Sequence, residues 1–509
     1  MLISRRRFAG TALAGLSGSL ASRLLAFPPP PKLFIFLIAE QFRRVYLDRT
    51  GRPLEPGGFR RLMQEGIYYP DCRLAASGFT ASGLATLATG AYPQLHGIVA
   101  DQWFDRQAGA PVRARADMLE ATTLADELAR MGRGRTFCLG FTEAPTSLLA
   151  GYSPAQVFWI DANGQFAVRG NAPEWLGEFN RLHPIEKLRG ERWMAVGAGP
   201  DTPPLRTLAF DPQRPDEFFS LYRASPYSQE AQFELLRWML TAEKLGQGET
   251  LDFVFVSLGS MAQLGYETGS DSPLMDQMVL KLDQQIQGTL EALNKAPGTG
   301  GYNLIFTAAH GSPPEPEQAK RPLKAISGQN IAVAVDRALS NWIDDGRAKN
   351  RYVDKYVYPF LYLKLDALRR QNVAPRGARK LAGEVALRQP GVAGYYTADG
   401  ECSHSGEWRR RFENSFNVPR SGDLMLSYEP GDVEEFAAGR GVSYGSLYNY
   451  DTSVPLFLYG AQFGSRVIER SIQATDLAPT IARAAGLSIP SSATGDVLAE
   501  AFAEGRPGK

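Results

Sequence analysis

The chain has 509 residues, 44% hydrophobic and 21% charged, with a formal net charge of +1. That length supports a large core and sets a prior of about three domains, while the near-zero charge leaves no global field to favour nucleic acid or an acidic membrane surface. Three distant cysteines (Cys72, Cys138, Cys402) allow at most one disulfide and no zinc-finger spacing, and only four histidines (His96, His183, His310, His404) limit any imidazole-rich metal site.

At the N-terminus, Ser4-Arg5-Arg6-Arg7-Phe8 precedes a mildly apolar run rich in Ala, Gly and Ser. This pattern predicts a twin-arginine export signal over residues 1–26, cleaved near Ala26. An ordinary secretory signal or an exposed basic terminus reads the same residues. The run is too short and weak to anchor in a bilayer, so the expected mature protein is periplasmic or otherwise exported, with no transmembrane anchor after signal removal.

Five short, apolar, unalternating runs follow: Leu33–Ala39, Thr136–Leu139, Phe253–Val256, Leu304–Phe306 and Leu456–Leu458. Such runs predict strands of a parallel sheet covered by helices on both faces. After the third of these, Ser272-Pro273 caps a helix whose apolar residues Met275, Met278, Val279, Leu282, Ile286, Leu290 and Leu293 recur at helical spacing. Another helix is predicted from Thr475 to Ala485, stopping at Gly486. Alternating strands and helices give an α/β fold with a doubly wound, mostly parallel sheet. Residues 312–440 break the rhythm. They carry a predicted strand Phe360–Leu363, a helix after Asp366, another within Ala378–Leu387, then PGVAGYYT and SGDLMLSY, which together read as an α+β cap insertion.

Ligands in such sheets gather past the carboxyl ends of the strands. The polar residues there are Glu40, Thr80, Ser257, Ser260 and His310. Each alone has a structural reading: a serine or threonine caps the next helix, and a lone histidine hydrogen-bonds locally. Likewise His404, in Cys402-Ser403-His404-Ser405, reads as a surface loop, and Arg409-Arg410-Arg411 as a solvated face.

Several segments together resemble the alkaline phosphatase superfamily, in its type I phosphodiesterase/nucleotide pyrophosphatase branch. Within that branch the match is to monomeric zinc alkaline phosphatases with a threonine nucleophile. The segments are PKLFIFLIAEQFRRVYLDR (31–49), GGFRRLMQEGIYYPDC (57–72), GFTASGLATLATGAYPQLHGIVADQWFD (78–105), YGSLYNYDTSVPLFLYG (444–460) and TDLAPTIARAAGLSIP (475–490). The resemblance implies an alkaline-phosphatase-like domain over 27–509. It also implies a site in which two zinc ions, held by Asp and His, neutralise phosphate and activate the threonine.

Carried onto this chain, that site is largely lost. The first aspartate corresponds to Glu40, and the nucleophile position is Thr80. The D-x-x-G-H segment is Ala262-Gln263-Leu264-Gly265-Tyr266, the D-H-G is Ala309-His310-Gly311, and the last H-G is Tyr444-Gly445. The family's phosphate-binding Lys and Arg fall at Thr142 and Ala144, and its Asn pair at Asp101-Gln102. One zinc position thus loses all three ligands (Ala262, Tyr266, Tyr444). The other keeps Glu40, Thr80 and His310 as a candidate remnant.

An unpaired buried carboxylate costs roughly several kcal/mol, so exchange for alanine relieves a metal-free site. Tyr266 and Tyr444 are expected to fill the vacated volume. These losses predict a pseudoenzyme without a cofactor, whose cleft takes an unidentified small-molecule or protein ligand. The alternative is a phosphate or sulfate ester hydrolase with a single zinc ion on Glu40, Thr80 and His310, and Thr80 as nucleophile. Three protein donors and one open position is the arithmetic of catalytic zinc. A third reading places unrelated chemistry at the cap–core cleft, near His404.

Overall fold

Runs with no polar alternation become strands buried on both faces. In the computed structural model, Leu33–Ala39 is buried at every position and lies parallel to Leu251–Leu258 on one side and Asn303–Ala308 on the other. Gly134–Gly140 and Gln156–Ile160 extend the parallel set. The structure describes residues 31–132, 134–199, 201–296, 301–314, 324–346, 352–437, 440–441 and 444–502; the expected export signal lies outside them.

Beyond Asn303–Ala308 the sheet changes direction. Ser453–Gly460 runs antiparallel to that strand and to Ile67–Arg73 on its far side, completing a ten-stranded, mostly parallel sheet with its short edge strands. The expectation of a parallel strand at Leu456–Leu458 is therefore corrected. An apolar run reports burial on both faces and carries no information on direction.

Helices cover the sheet as their caps dictate. Pro273–Lys295 begins where the Ser272 hydroxyl accepts the Met275 amide at 3.3 Å, and its predicted apolar stripe is buried. Leu477–Ala485 follows a 3-10 turn at Ala474–Asp476, which takes up the expected first residue Thr475. It ends at Gly486, whose φ of 68° is left-handed and favours glycine.

A second sheet orders the strands Val353–Val357, Phe360–Leu363, Leu424–Tyr428 and Val392–Thr397, all antiparallel. The period of two divides its faces. Leu361 and Leu363 pack with Val335, Leu339 and Ala382 of helices Gly328–Asp344 and Pro375–Leu387. Phe360, Tyr362 and Met425 instead pack on Phe79, Ala81, Ala85, Trp103 and Phe104. That second contact presses the small sheet against the helix that starts at Thr80. Among the described residues, no helix is long and apolar enough to cross a membrane.

Candidate functional site

Register assembles the site. Ala39 pairs with Leu258 and with Ala308, so Glu40, Gly259 and Ala309 leave the sheet at one edge. The reversed strand starts at that same edge, so the loop before it delivers Tyr444 and Asp451 there. Helix Thr80–Thr89 abuts the edge closely: a Cβ on Gly83 would lie 2.0 Å from the Ala309 carbonyl oxygen. The helix is buried at every position, with Leu84, Leu87 and Ala88 in the core of the large sheet and Ala81 and Ala85 packed with Phe360 and Met425 of the small one.

His310 is 0% exposed, and its hydrogen bonds fix its tautomer. Nδ1 lies 2.7 Å from the Gly311 carbonyl, which only accepts, so Nδ1 carries the proton. Nε2 is then an acceptor and takes the Thr80 hydroxyl at 2.9 Å. Burial pushes the imidazole down to about 4, partly offset by the Gly311 bond, so it is neutral at physiological pH.

Glu40 points into this cluster and accepts the Ser257 hydroxyl at 3.0 Å. Burial pushes its carboxyl up to about 7 against that bond, and the nearby Asp101 charge adds to the rise. Asp101 accepts the Ala81 amide at 2.7 Å and the Tyr444 phenol at 2.8 Å; burial raises it to about 6, against the Ala81 bond. Asp451 accepts the Ser446 amide at 2.9 Å and its hydroxyl at 2.6 Å, and burial raises it to about 7.

The replaced positions are also in place. Tyr444 stacks on His310, with ring centroids 4.4 Å apart and planes at 23°. Ala262 and Ala309 present buried methyl groups. Tyr266 is 43% exposed and meets Tyr444 at 5.7 Å and 51°. Filling of the vacated volume by both tyrosines is therefore corrected: Tyr444 lies inside and Tyr266 at the mouth. Thr142 is exposed and precedes helix Glu143–Ala150, which contains Ala144; neither brings a positive charge.

Neutralisation by residue exchange is likewise only half the outcome. Three carboxyls remain, Asp451 buried and Glu40 and Asp101 partly so, and burial raises the pKa of each. Asp101 had registered in the sequence only as a lost asparagine, and Asp451 not at all. An aspartate two residues before the apolar run 453–460, in Tyr450-Asp451-Thr452, was the available signal. Ser260 lies off the cluster, where its hydroxyl receives the Ser228 hydroxyl at 3.3 Å. His404 pairs with Ser403 at 2.9 Å. The reading of Arg409–Arg411 as a solvated face fails at Arg411, which is 7% exposed and donates to the Leu447 carbonyl, Asn449 and Glu407.

Catalytic zinc takes three protein ligands and structural zinc four, from His, Cys and carboxylate donors. Among the described residues, no group of three or more His, Cys, Asp or Glu is placed to hold a metal ion. Methyl groups at Ala262 and Ala309 have no lone pair, and the Tyr444 phenol is already committed to Asp101. The residues present do not fit a two-zinc centre.

Known proteins agree with this architecture. The family described as type I phosphodiesterase/nucleotide pyrophosphatase matches residues 34–434. The chain is 24% identical to the alkaline phosphatase PhoV of Synechococcus elongatus, over 92% of each protein. It is 23% identical to the alkaline phosphatase PafA of Elizabethkingia meningoseptica, over 95% of this chain and 97% of that one. The crystal structure of wild-type PafA superposes with a TM-score of 0.80 at 21% identity, covering 93% of this chain and 99% of that one. Murine ectonucleotide pyrophosphatase/phosphodiesterase 5 gives 0.56 at 15% identity, over 92% and 100%. The chain belongs to the type I phosphodiesterase/nucleotide pyrophosphatase family of the alkaline phosphatase superfamily, with its metal site degraded.

Proposed function

We propose that this protein is an exported pseudoenzyme that uses the degenerate cleft to bind a ligand or partner without turning it over. One observation carries the reading. Tyr444, at the position of the last zinc histidine, stacks on His310 and hydrogen-bonds Asp101. It makes one closed polar cluster of what in the resembling enzymes is an open metal site. A threonine hydroxyl is a weak nucleophile unless strongly activated, and the neighbour of Thr80 is a histidine whose basicity burial has lowered.

The competing reading, a single-ion hydrolase on Glu40, Thr80 and His310, has one observation in its favour: the lone pair of His310 Nε2 faces Thr80. Purified protein assayed with aryl phosphate, phosphodiester and sulfate ester substrates, with and without zinc, separates the two. The pseudoenzyme reading expects no turnover above that of Thr80→Ala. Turnover that the Thr80→Ala variant loses would overturn it.

Export by the twin-arginine route rests on Arg5-Arg6-Arg7-Phe8 and the apolar run behind it. Replacing Arg6 and Arg7 with lysine is expected to leave the protein inside the cell on fractionation. Unchanged export of that variant would count against this route.

A further inference from the structure

The first turn of a helix leaves backbone N–H groups without intrahelical acceptors, and its dipole favours a negative charge there. In helix Thr80–Thr89 the residue that should cap this turn is Phe79, which has no side-chain acceptor. The Ala81 amide is instead met by Asp101, from a different segment, at 2.7 Å. The second carboxylate oxygen takes the Tyr444 phenol at 2.8 Å, and that phenol belongs to the ring stacked on His310. A carboxylate that accepts one amide and one phenol on its two oxygens makes the contacts that two oxygens of a bound oxyanion would make. Asp101 is in no ion pair among the described residues: it accepts the helix amide and the phenol, and the more distant charge of Arg113 offsets only part of the rise that burial causes.

We propose that Asp101 is the selectivity element of the cleft: a built-in anion on the helix N-terminus that excludes oxyanions and leaves the cleft to non-anionic ligands. The proposal deepens the ligand-binding reading above and rests on it. A free phosphate or sulfate approaching Thr80 would have to displace the carboxylate from its amide and meet its charge in largely buried surroundings, where like-charge repulsion is weakly screened. Neither Thr142 nor Ala144 supplies a positive charge to offset it. The plain structural alternative is that Asp101 only caps the helix. The two differ in one respect: a cap affects stability, whereas a selectivity element also decides whether anions bind.

The probe is inorganic vanadate, with phosphate and sulfate alongside, titrated at pH 8 and read by calorimetry and by the shift in melting temperature. Wild type is expected to show no saturable binding. Asp101→Asn, which keeps an acceptor for Ala81 and removes the charge, is expected to bind vanadate at least about tenfold more tightly. Asp101→Ser serves the same purpose should the asparagine variant not fold. Tyr444→Phe, which breaks the other bond but leaves the carboxylate, is expected to gain nothing. Equal vanadate affinity in wild type and the folded uncharged variant, or no binding by either uncharged variant once folded, would overturn the proposal. So would a gain in Tyr444→Phe matching that of Asp101→Asn. Aryl phosphate turnover is measured on the same wild-type sample. Turnover there would sink the pseudoenzyme reading, whereas the vanadate comparison alone judges Asp101.

Discussion

Replacing Glu40 with glutamine should stabilise the protein, and only at high pH. The side chain sits beside Thr80 with the Ser257 hydroxyl as its donor, and burial raises its carboxyl from 4.5 to about 7. The folded chain therefore holds a proton between pH 4.5 and 7 that the unfolded chain has released, so the stability tied to Glu40 falls as pH rises through that window. At about 1.36 kcal/mol per pKa unit, the rise corresponds to about 3 kcal/mol when the group is ionised. The carboxyl is only half-buried, and solvent screening lowers the expectation to about 2 kcal/mol. Glutamine keeps an oxygen for Ser257 and carries no charge. Urea denaturation of wild type and Glu40→Gln should give equal stabilities near pH 4.5 and a variant more stable by about 2 kcal/mol at pH 8. Titrations not coupled to Glu40, such as those of His96 and His310, cancel in the difference. A difference independent of pH would mean a carboxyl whose pKa folding leaves unshifted, and a variant less stable at pH 8 would mean that a cation holds Glu40 ionised; either result would refute the reasoning.

Two further substitutions test the packing of the site. His310→Ala removes a buried ring with a stacking partner and two hydrogen bonds, so it should cost about 2 kcal/mol or more; a chelator should leave that loss unchanged, and a loss appearing only with zinc would favour the single-ion site. Gly83→Ala places a methyl against the Ala309 carbonyl and should cost at least about 2 kcal/mol in thermal unfolding, whereas a neutral result would show that the helix and strand end are not in close contact.

Much of the fold was legible because its signals are local. Leu33–Ala39, Phe360–Leu363 and the helix capped by Ser272 announce themselves by apolar period and cap chemistry. The direction of Ser453–Gly460 was not legible, since pairing direction depends on where the chain re-enters the sheet. In the site, motif positions located Glu40, Thr80 and His310, and the register explains why they meet. Motif reading follows what is lost, however, and passes over what is gained. Asp101 and Tyr444 lie 343 residues apart, and their hydrogen bond follows from no local pattern. Arg411 shows the same limit: within a basic triplet it looks solvated, yet tertiary packing buries it against the 447–449 loop.

Metal content tests the central claim most directly. The protein, dialysed against trace zinc and then metal-free buffer, should carry no stoichiometric zinc by elemental analysis, and added zinc should not change its melting temperature. One or two tightly bound ions per chain would contradict the account, and would make Glu40, Thr80 and His310 a working centre.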